Sequence, residues 1–253
     1  MAKPPEKEGM VLADLHAHPR HESYDKILKM LSWGITGLTE TGIYNGVTYQ
    51  DVLNYPGVRE VDRGILAEVT YRGNKGYVIK SQEVLEGKLG PHILAVGCGI
   101  NIDGILDPRK VVEEIHKQGG LAIPTHPYVT PTGEWPIKYR IITKQEERIV
   151  RELCLMVDEL ETHNSQNINL FPFFLDMRQA NRMAKKLAEE YGFKGVATSD
   201  THSRLEQVKI SGIYVPEDNI SFEALKHYIK NGLFERYEQY VSRLSFLMGH
   251  FVG

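Results

Sequence analysis

The sequence predicts an α/β protein assembled from parallel β–α–β units. Three observations carry this. Short β-branched runs alternate with capped amphipathic helices along the chain. The 253 residues suit one large α/β domain. Nearly every strand-like run leads into a histidine or a carboxylate, as expected where chemistry collects at the carboxyl ends of parallel strands. An α/β barrel and an open doubly wound sheet both fit. No G-x-G-x-x-G or Walker loop is present, so the nucleotide-binding versions lose support.

The elements follow in order. Met10–His16 is a strand. Ser23–Gly34 is a helix with apolar residues at Ile27, Leu28, Leu31 and Trp33, Ser23 as N-cap and Gly34 as stop. Ile35–Glu40 is a second strand. Thr41–Gly64 has no clean period and is expected to be mostly loop with some helix. Tyr77–Val84 and His92–Ile100 are strands bounded by Gly or Pro. Asp107–Gly120 is a helix capped by Asp107, with Pro108 at its first position, glycines at its end and His116 on its surface. Then come strand Leu121–Pro127, helix Thr143–Leu153, strand Leu155–Asn164 and amphipathic helix Asp176–Gly192. Strands Gly195–His202 and Val208–Pro216 precede helix Ser221–Gly232, and the last 20 or so residues read as a helical tail. Residues 1–9 read as a short mobile leader, and 10–253 as one domain.

Composition removes several function classes. There are 30 basic and 33 acidic residues, for a net charge of −3, so no global basic field attracts long duplex nucleic acid. The longest apolar runs, such as Asn169–Leu175, fall far short of the roughly 18 residues of a membrane span. The first ten residues lack the apolar core of a secretory signal. Cys98 and Cys154 have no CxxC spacing, so a disulfide framework is not expected and the default setting is cytoplasmic.

The strand ends carry the chemistry. In order they present Asp14, His16 and His18; Glu40; Glu83; His126; Glu161, His163 and Asn164; and Asp200 and His202, while His92 opens its strand. Seven of the ten histidines flank predicted strands, a bias that scatter would not favour. Residues i and i+2 of a strand point to one side, so His16 and His18 can reach one ion together, and Asp200 and His202 repeat that spacing. Imidazole plus carboxylate without thiolate suits Zn²⁺, Mn²⁺ or Fe²⁺. Several carboxylates favour more than one ion, because a Glu can bridge two cations. Asp14 is expected to support the site from the strand face it shares with His16.

These residues, in this order, resemble the polymerase and histidinol phosphatase (PHP) family. The matching text is DLHAH at Asp14–His18, SQE at Ser81–Glu83, HILAVG at His92–Gly97, THP at Thr125–Pro127, ELETHN at Glu159–Asn164 and SDTH at Ser199–His202. It spans roughly Met10 to Val215. The resemblance implies a distorted seven-stranded (β/α) TIM-like barrel with two or three metal ions. It implies that His16, His18, Glu83 and Asp200 hold the first ion, that Glu83 bridges to a second held also by His92 and His126, and that His202 belongs to a third. The sequence departs from the pattern at LTETG, where Glu40 and Thr41 stand for the family's Asp-His. The third site then rests on Glu40 and His21 as conditional ligands, or the protein runs on two ions. His163 and Asn164 are expected to shape the pocket.

The implied activity is hydrolysis of a phosphomonoester or phosphodiester by a metal-bridging hydroxide, with Glu83, His202 and Glu40 as the catalytic set. Arg20, Lys80 and Arg204 lie beside the motifs and are the candidate phosphate cations. A small phosphorylated metabolite or an oligonucleotide end is the expected substrate. Tyr44, Tyr49 and Tyr55 form either a lid or stacking surface, or ordinary loop packing. Two rivals stand beside this reading: an amidohydrolase-like C–N hydrolase, which also uses H-x-H and a late Asp, and a non-catalytic metal-binding module.

Overall fold

A computed structural model describes residues 4–42, 44–84, 91–104, 107–131, 139–168, 176–202 and 204–243. The chain runs β1 (Met10–Ala17), α1 (Tyr24–Leu31), β2 (Ile35–Glu40), α2 (Tyr49–Leu53), β3 (Val58–Asp62), β4 (Leu66–Tyr71), β5 (Asn74–Val84), β6 (Ile93–Val96), α3 (Pro108–Lys117) and β7 (Leu121–Pro124). It continues β8 (Val129–Pro131), β9 (Tyr139–Ile141), α4 (Lys144–Leu153), β10 (Glu161–Asn164), α5 (Arg178–Tyr191), β11 (Val196–Thr198), β12 (Gly212–Pro216), α6 (Phe222–Lys230) and β13 (Glu235–Tyr237). The expected segments Asn169–Leu175 and 244–253 lie outside the described residues.

The sheet is mixed, which corrects the expected all-parallel arrangement. Its main path is β13-β12-β1-β2-β5-β4-β3, with β6 and β7 branching from β5, and β10-β11 and β8-β9 form separate pairs. The pairs β1–β2, β2–β5 and β10–β11 are parallel, whereas β12, β6 and β7 join antiparallel. The sheet does not close. It does curl: inward side chains of β1, β2, β4, β5, β6, β7, β11 and β12 share one core with Phe222, Leu225 and Ile229 of α6.

The helix ends follow their capping residues where those residues bond. Asp107 accepts from the Arg109 N–H, Ser221 from the Ala224 N–H, and Gly192 ends α5 in the left-handed region. Ser23 makes no such bond, and α1 stops at Ser32 rather than Gly34. The segment Thr41–Gly64 is more ordered than expected. Thr48 and Asp51 form a reciprocal capping box that starts α2, and β3 and β4 pair next to β5. Arg72 (φ 49°) and Gly73 (φ 79°) form the two-residue turn between β4 and β5, both in the backbone region such a hairpin needs. The strand expected at Leu155–Asn164 shortens to β10, and β13 stands where helical tail was expected. Residues of the expected mobile leader pack: the Tyr214 hydroxyl donates to the Pro5 carbonyl (2.5 Å), and Lys7 pairs with Glu235.

Two irregularities decide what faces inward. Against β2, Ala13 pairs with Ile35 and Asp14 with Thr36, but Ala17 pairs with Leu38, so β1 carries one extra residue. Ala13 and Leu15 belong to the inner core and Ala17 to the outer cluster around Leu28 and Leu38. His16 and His18 therefore turn inward, while Asp14 stays on the outer side with Thr36. Gly37 permits this, since a Cβ there would lie 2.2 Å from the Leu15 carbonyl oxygen. A second shift lies between Glu161 and His163, which pair with Val196 and Ala197. It leaves Glu161 and Asn164 facing inward and sends His163 outward.

Candidate metal centre

Two groups of ligand-type atoms converge at the carboxyl ends of these strands. One is His16, His18 and Asp200; the other is Glu83, His92 and His126; within each, one atom per residue lies within 4.8 Å of the others. His16 Nε2 and His18 Nε2 are 3.0 Å apart, and Asp200 Oδ1 is 3.3 Å and 3.6 Å from them. In the second group Glu83 Oε1 lies 2.8 Å from His92 Nδ1 and 3.1 Å from His126 Nε2. The other oxygen, Glu83 Oε2, is 3.5 Å from His18 Nε2. Glu83 thus turns one oxygen to each group.

The rings are fixed from behind. Glu161 Oε1 lies 3.0 Å from His16 Nδ1, and the Thr39 carbonyl 2.9 Å from His18 Nδ1, which leaves both Nε2 atoms aimed inward. Glu161 accepts further from the Thr198 hydroxyl (2.5 Å), the His126 backbone N–H (2.5 Å) and Asn164 Nδ2 (3.1 Å). Asn164 also donates to Asp200 Oδ2 (2.8 Å), whereas His163, expected to shape the pocket with it, faces outward against Tyr240. Asp200 N–H donates to the His16 carbonyl, and His18 N–H to the Thr201 carbonyl, each at 2.8 Å, which ties the Asp200 turn to β1.

The donor set fits divalent ions. Asp200 Oδ1 is buried without a hydrogen-bond partner although three imidazoles, of His16, His18 and His202, stand within 3.6 Å of it. His126 and Asp200 both adopt left-handed backbone, at φ 29° and 46°. Each non-glycine residue there costs on the order of 1–2 kcal/mol, strain that clusters at functional sites. Without ions, the groups neutralise one another. Burial would raise Glu83, but His92, His126 and His16 hold it well below the usual carboxylate range. Burial would lower His16 and His126; Asp200, Glu161 and Glu83 outweigh it, putting His16 well above the imidazole range and His126 at about 9. His18 falls to about 3, from burial and the neighbouring His202 and His16. His16 and His126 must shed their protons to ligate, so ion uptake competes with acid.

The remaining expected residues divide. His202 sits beside the first group, its ring 4.6 Å from that of His18 and its Nδ1 2.9 Å from the Asp200 carbonyl. Arg20 Nε donates to the Tyr44 hydroxyl (3.2 Å), and the Tyr44 ring lies 5.6 Å from His202 and 6.2 Å from His18. Glu40 is not brought in. It pairs with Gln82, on the opposite face from Glu83, and accepts from Asn101 Nδ2 (2.8 Å). Lys80 shares that outer face and donates to the Gly99 carbonyl (2.8 Å). Arg204 pairs with Glu206 (2.8 Å), and His21 is exposed and belongs to neither group. Tyr49 is buried in the outer core and Tyr55 packs edge-on against Tyr24, so of the three tyrosines only Tyr44 borders the centre.

One contributor to the centre has no distinguishing signal in the sequence. Glu161 was visible as a strand-end carboxylate, but nothing local separates a ligand from a buttress.

Asp14 stands behind the centre. Its oxygens accept from the Ser199 N–H (3.0 Å) and hydroxyl (2.5 Å) and from the Lys209 N–H (2.9 Å). Lys209 is fully buried, with Nζ donating to the Met30 carbonyl (2.9 Å) and Thr36 Oγ1 (2.7 Å), and burial lowers its ammonium from 10.5 to about 7. Between those values the unfolded chain binds a proton that the folded chain does not. Stability therefore rises with pH from about 7 toward 10.5 and is flat below, with a slope of at most about 1.4 kcal/mol per pH unit. Urea unfolding at several pH values should show this rise in the parent and its loss in Lys209→Met. Equal slopes in the two proteins would contradict it.

Fold and centre together define a mixed α/β protein with paired histidine–carboxylate groups at its strand ends. No family model and no curated protein matches the chain. Three solved structures share its fold. PsfC from Pseudomonas syringae PB-5123 is 14% identical, at a TM-score of 0.57 over 95% of this chain and 96% of that one. The lesion-specific endonuclease PfuEndoQ from Pyrococcus furiosus is 16% identical, at 0.54 over 90% of this chain, which spans 57% of the endonuclease. A two-domain protein from Bacteroides vulgatus ATCC 8482, containing a predicted PHP-like metal-dependent phosphoesterase, is 14% identical, at 0.51 over 93% of this chain and 67% of that one. The resemblance carried by the motifs thus has a counterpart in the fold. Among the described residues no helix is long and apolar enough to cross a membrane.

Proposed function

We propose that the chain is a metal-dependent phosphoesterase that uses two divalent ions (Zn, Mn or Fe) to hydrolyse a phosphomonoester or phosphodiester of a small metabolite or an oligonucleotide end. The observation that carries this is Glu83, with one oxygen toward each donor group. His16, His18 and Asp200 would hold one ion and His92 and His126 the other. Bound there, such ions supply Lewis acidity and a water of lowered pKa. The chain's residues do the rest. Glu161 and Thr39 fix the first pair of imidazoles, and the Asp200 carbonyl orients His202, whose ring is 36% exposed and available to pass a proton to the leaving oxygen. We read the curled but unclosed sheet as an opened version of a distorted seven-stranded barrel, and residues 10–253 as one domain in a cytoplasmic setting. The PHP-like phosphoesterase and the endonuclease among the similar folds support hydrolysis of a phosphate ester.

The test uses the full chain loaded with Mn²⁺, Zn²⁺ or Fe²⁺. Phosphate monoesters, phosphate diesters, oligonucleotide ends and amides are offered in parallel. Turnover of a phosphate ester, abolished by chelation and restored by the ion, is expected. Turnover of amides alone would overturn the reading. So would a protein that takes up no ion tightly and turns over nothing.

A further inference from the structure

Arg20 occupies a defined place beside the centre. The loop after β2 folds back on the loop after β1. The Val47 N–H donates to the Pro19 carbonyl (2.8 Å), and a Cβ at Gly46 would lie only 3.0 Å from that oxygen and 3.2 Å from the Tyr44 ring. This packing sets Tyr44 edge-on to His18 and His202. Tyr44 in turn takes Arg20 Nε, and the ion pairs of the described residues include none to Arg20. Toward the described residues, its terminal nitrogens therefore keep their donors. Of the other two candidate cations, Lys80 lies on the outer face of β5 and Arg204 is paired with Glu206.

We propose that Arg20, oriented by Tyr44, is the third positive group of the centre and makes it selective for terminal phosphate monoesters over diesters. This rests on the phosphoesterase reading above. A terminal phosphate has three non-bridging oxygens and a diester has two. The two donor groups provide for two cationic contacts, and a guanidinium, which cannot lose its charge near neutral pH, provides the third. Tyr44 is a positioning residue, because it holds Nε and leaves the two terminal nitrogens to the ligand. The same arrangement places Tyr44, which holds Arg20, beside His202, where the family resemblance implied a further metal ion.

Calorimetry on the metal-loaded full chain tests this, with inorganic phosphate and dimethyl phosphate as probes and elemental analysis of bound metal in every variant. The parent is expected to bind inorganic phosphate at least tenfold more tightly than dimethyl phosphate. Arg20→Ala should lose tenfold or more in phosphate affinity with metal content and dimethyl phosphate affinity unchanged. Arg20→Lys should recover part of the loss, and Tyr44→Phe should lose less than Arg20→Ala. In steady-state assays Arg20→Ala should raise the KM for a monoester and leave that for a diester alone. A phosphate ester hydrolase whose Arg20→Ala variant keeps both its phosphate affinity and its monoester KM overturns this inference alone. A metal-loaded parent that hydrolyses no phosphate ester overturns the reading beneath it as well.

Discussion

Glu83→Gln should lower phosphate ester turnover by about three orders of magnitude, on the order of 4 kcal/mol of barrier, and should cost the protein part of its bound metal. The carboxylate sits among the ligand-type atoms of both donor sets, and it is buried at 5% exposure. The amide keeps the shape but replaces one charged oxygen with a donor that cannot ligate. It also removes the negative charge that holds His92 and His126 in place. Both steady-state turnover and elemental analysis should report the change. A Glu83→Gln protein with full activity and two ions per chain would contradict the bridging role.

Asp14→Ala is the second large effect, and it falls on stability. Three buried donors, the Ser199 N–H and hydroxyl and the Lys209 N–H, converge on this one fully buried carboxylate. Removing it leaves them without an acceptor in a place water does not reach, at a cost of about 3–5 kcal/mol. The loss also frees the Ser199–Asp200 turn, so the first donor group should bind its ion more weakly. Urea unfolding measures the first consequence and metal titration of the folded variant the second. A loss below about 1 kcal/mol would mean that the clamp is not what holds the turn.

Much of the centre is readable from the chain because its donors are local chemistry. His16 and His18, then Glu83, His92, His126 and Asp200, each stand at a strand boundary, and the structure brings all six into two adjoining groups. Glu40 misled for a physical reason. It ends a strand just as Glu83 does, but the register with β5 puts it beside Gln82, on the other face. Lys80 fails in the same way. β3 escaped because three of its five residues are charged and resemble loop in composition, whereas β4, Leu66–Tyr71, alternates as a strand does.

Residue types and spacing alone specified the alternating α/β elements, the ligand chemistry and the absence of a basic field. They did so because caps, periodicity and charge act over a few neighbours. The tertiary structure alone decided which side chains face inward. One extra residue in β1 turns His16 to the core and leaves Asp14 behind it, and one in β10 aims Asn164 at Asp200 while His163 packs against Tyr240. A one-residue shift inverts every side chain beyond it. Where such a shift falls depends on contacts made across the sheet, such as that of Gly37 against Leu15, which no local pattern encodes.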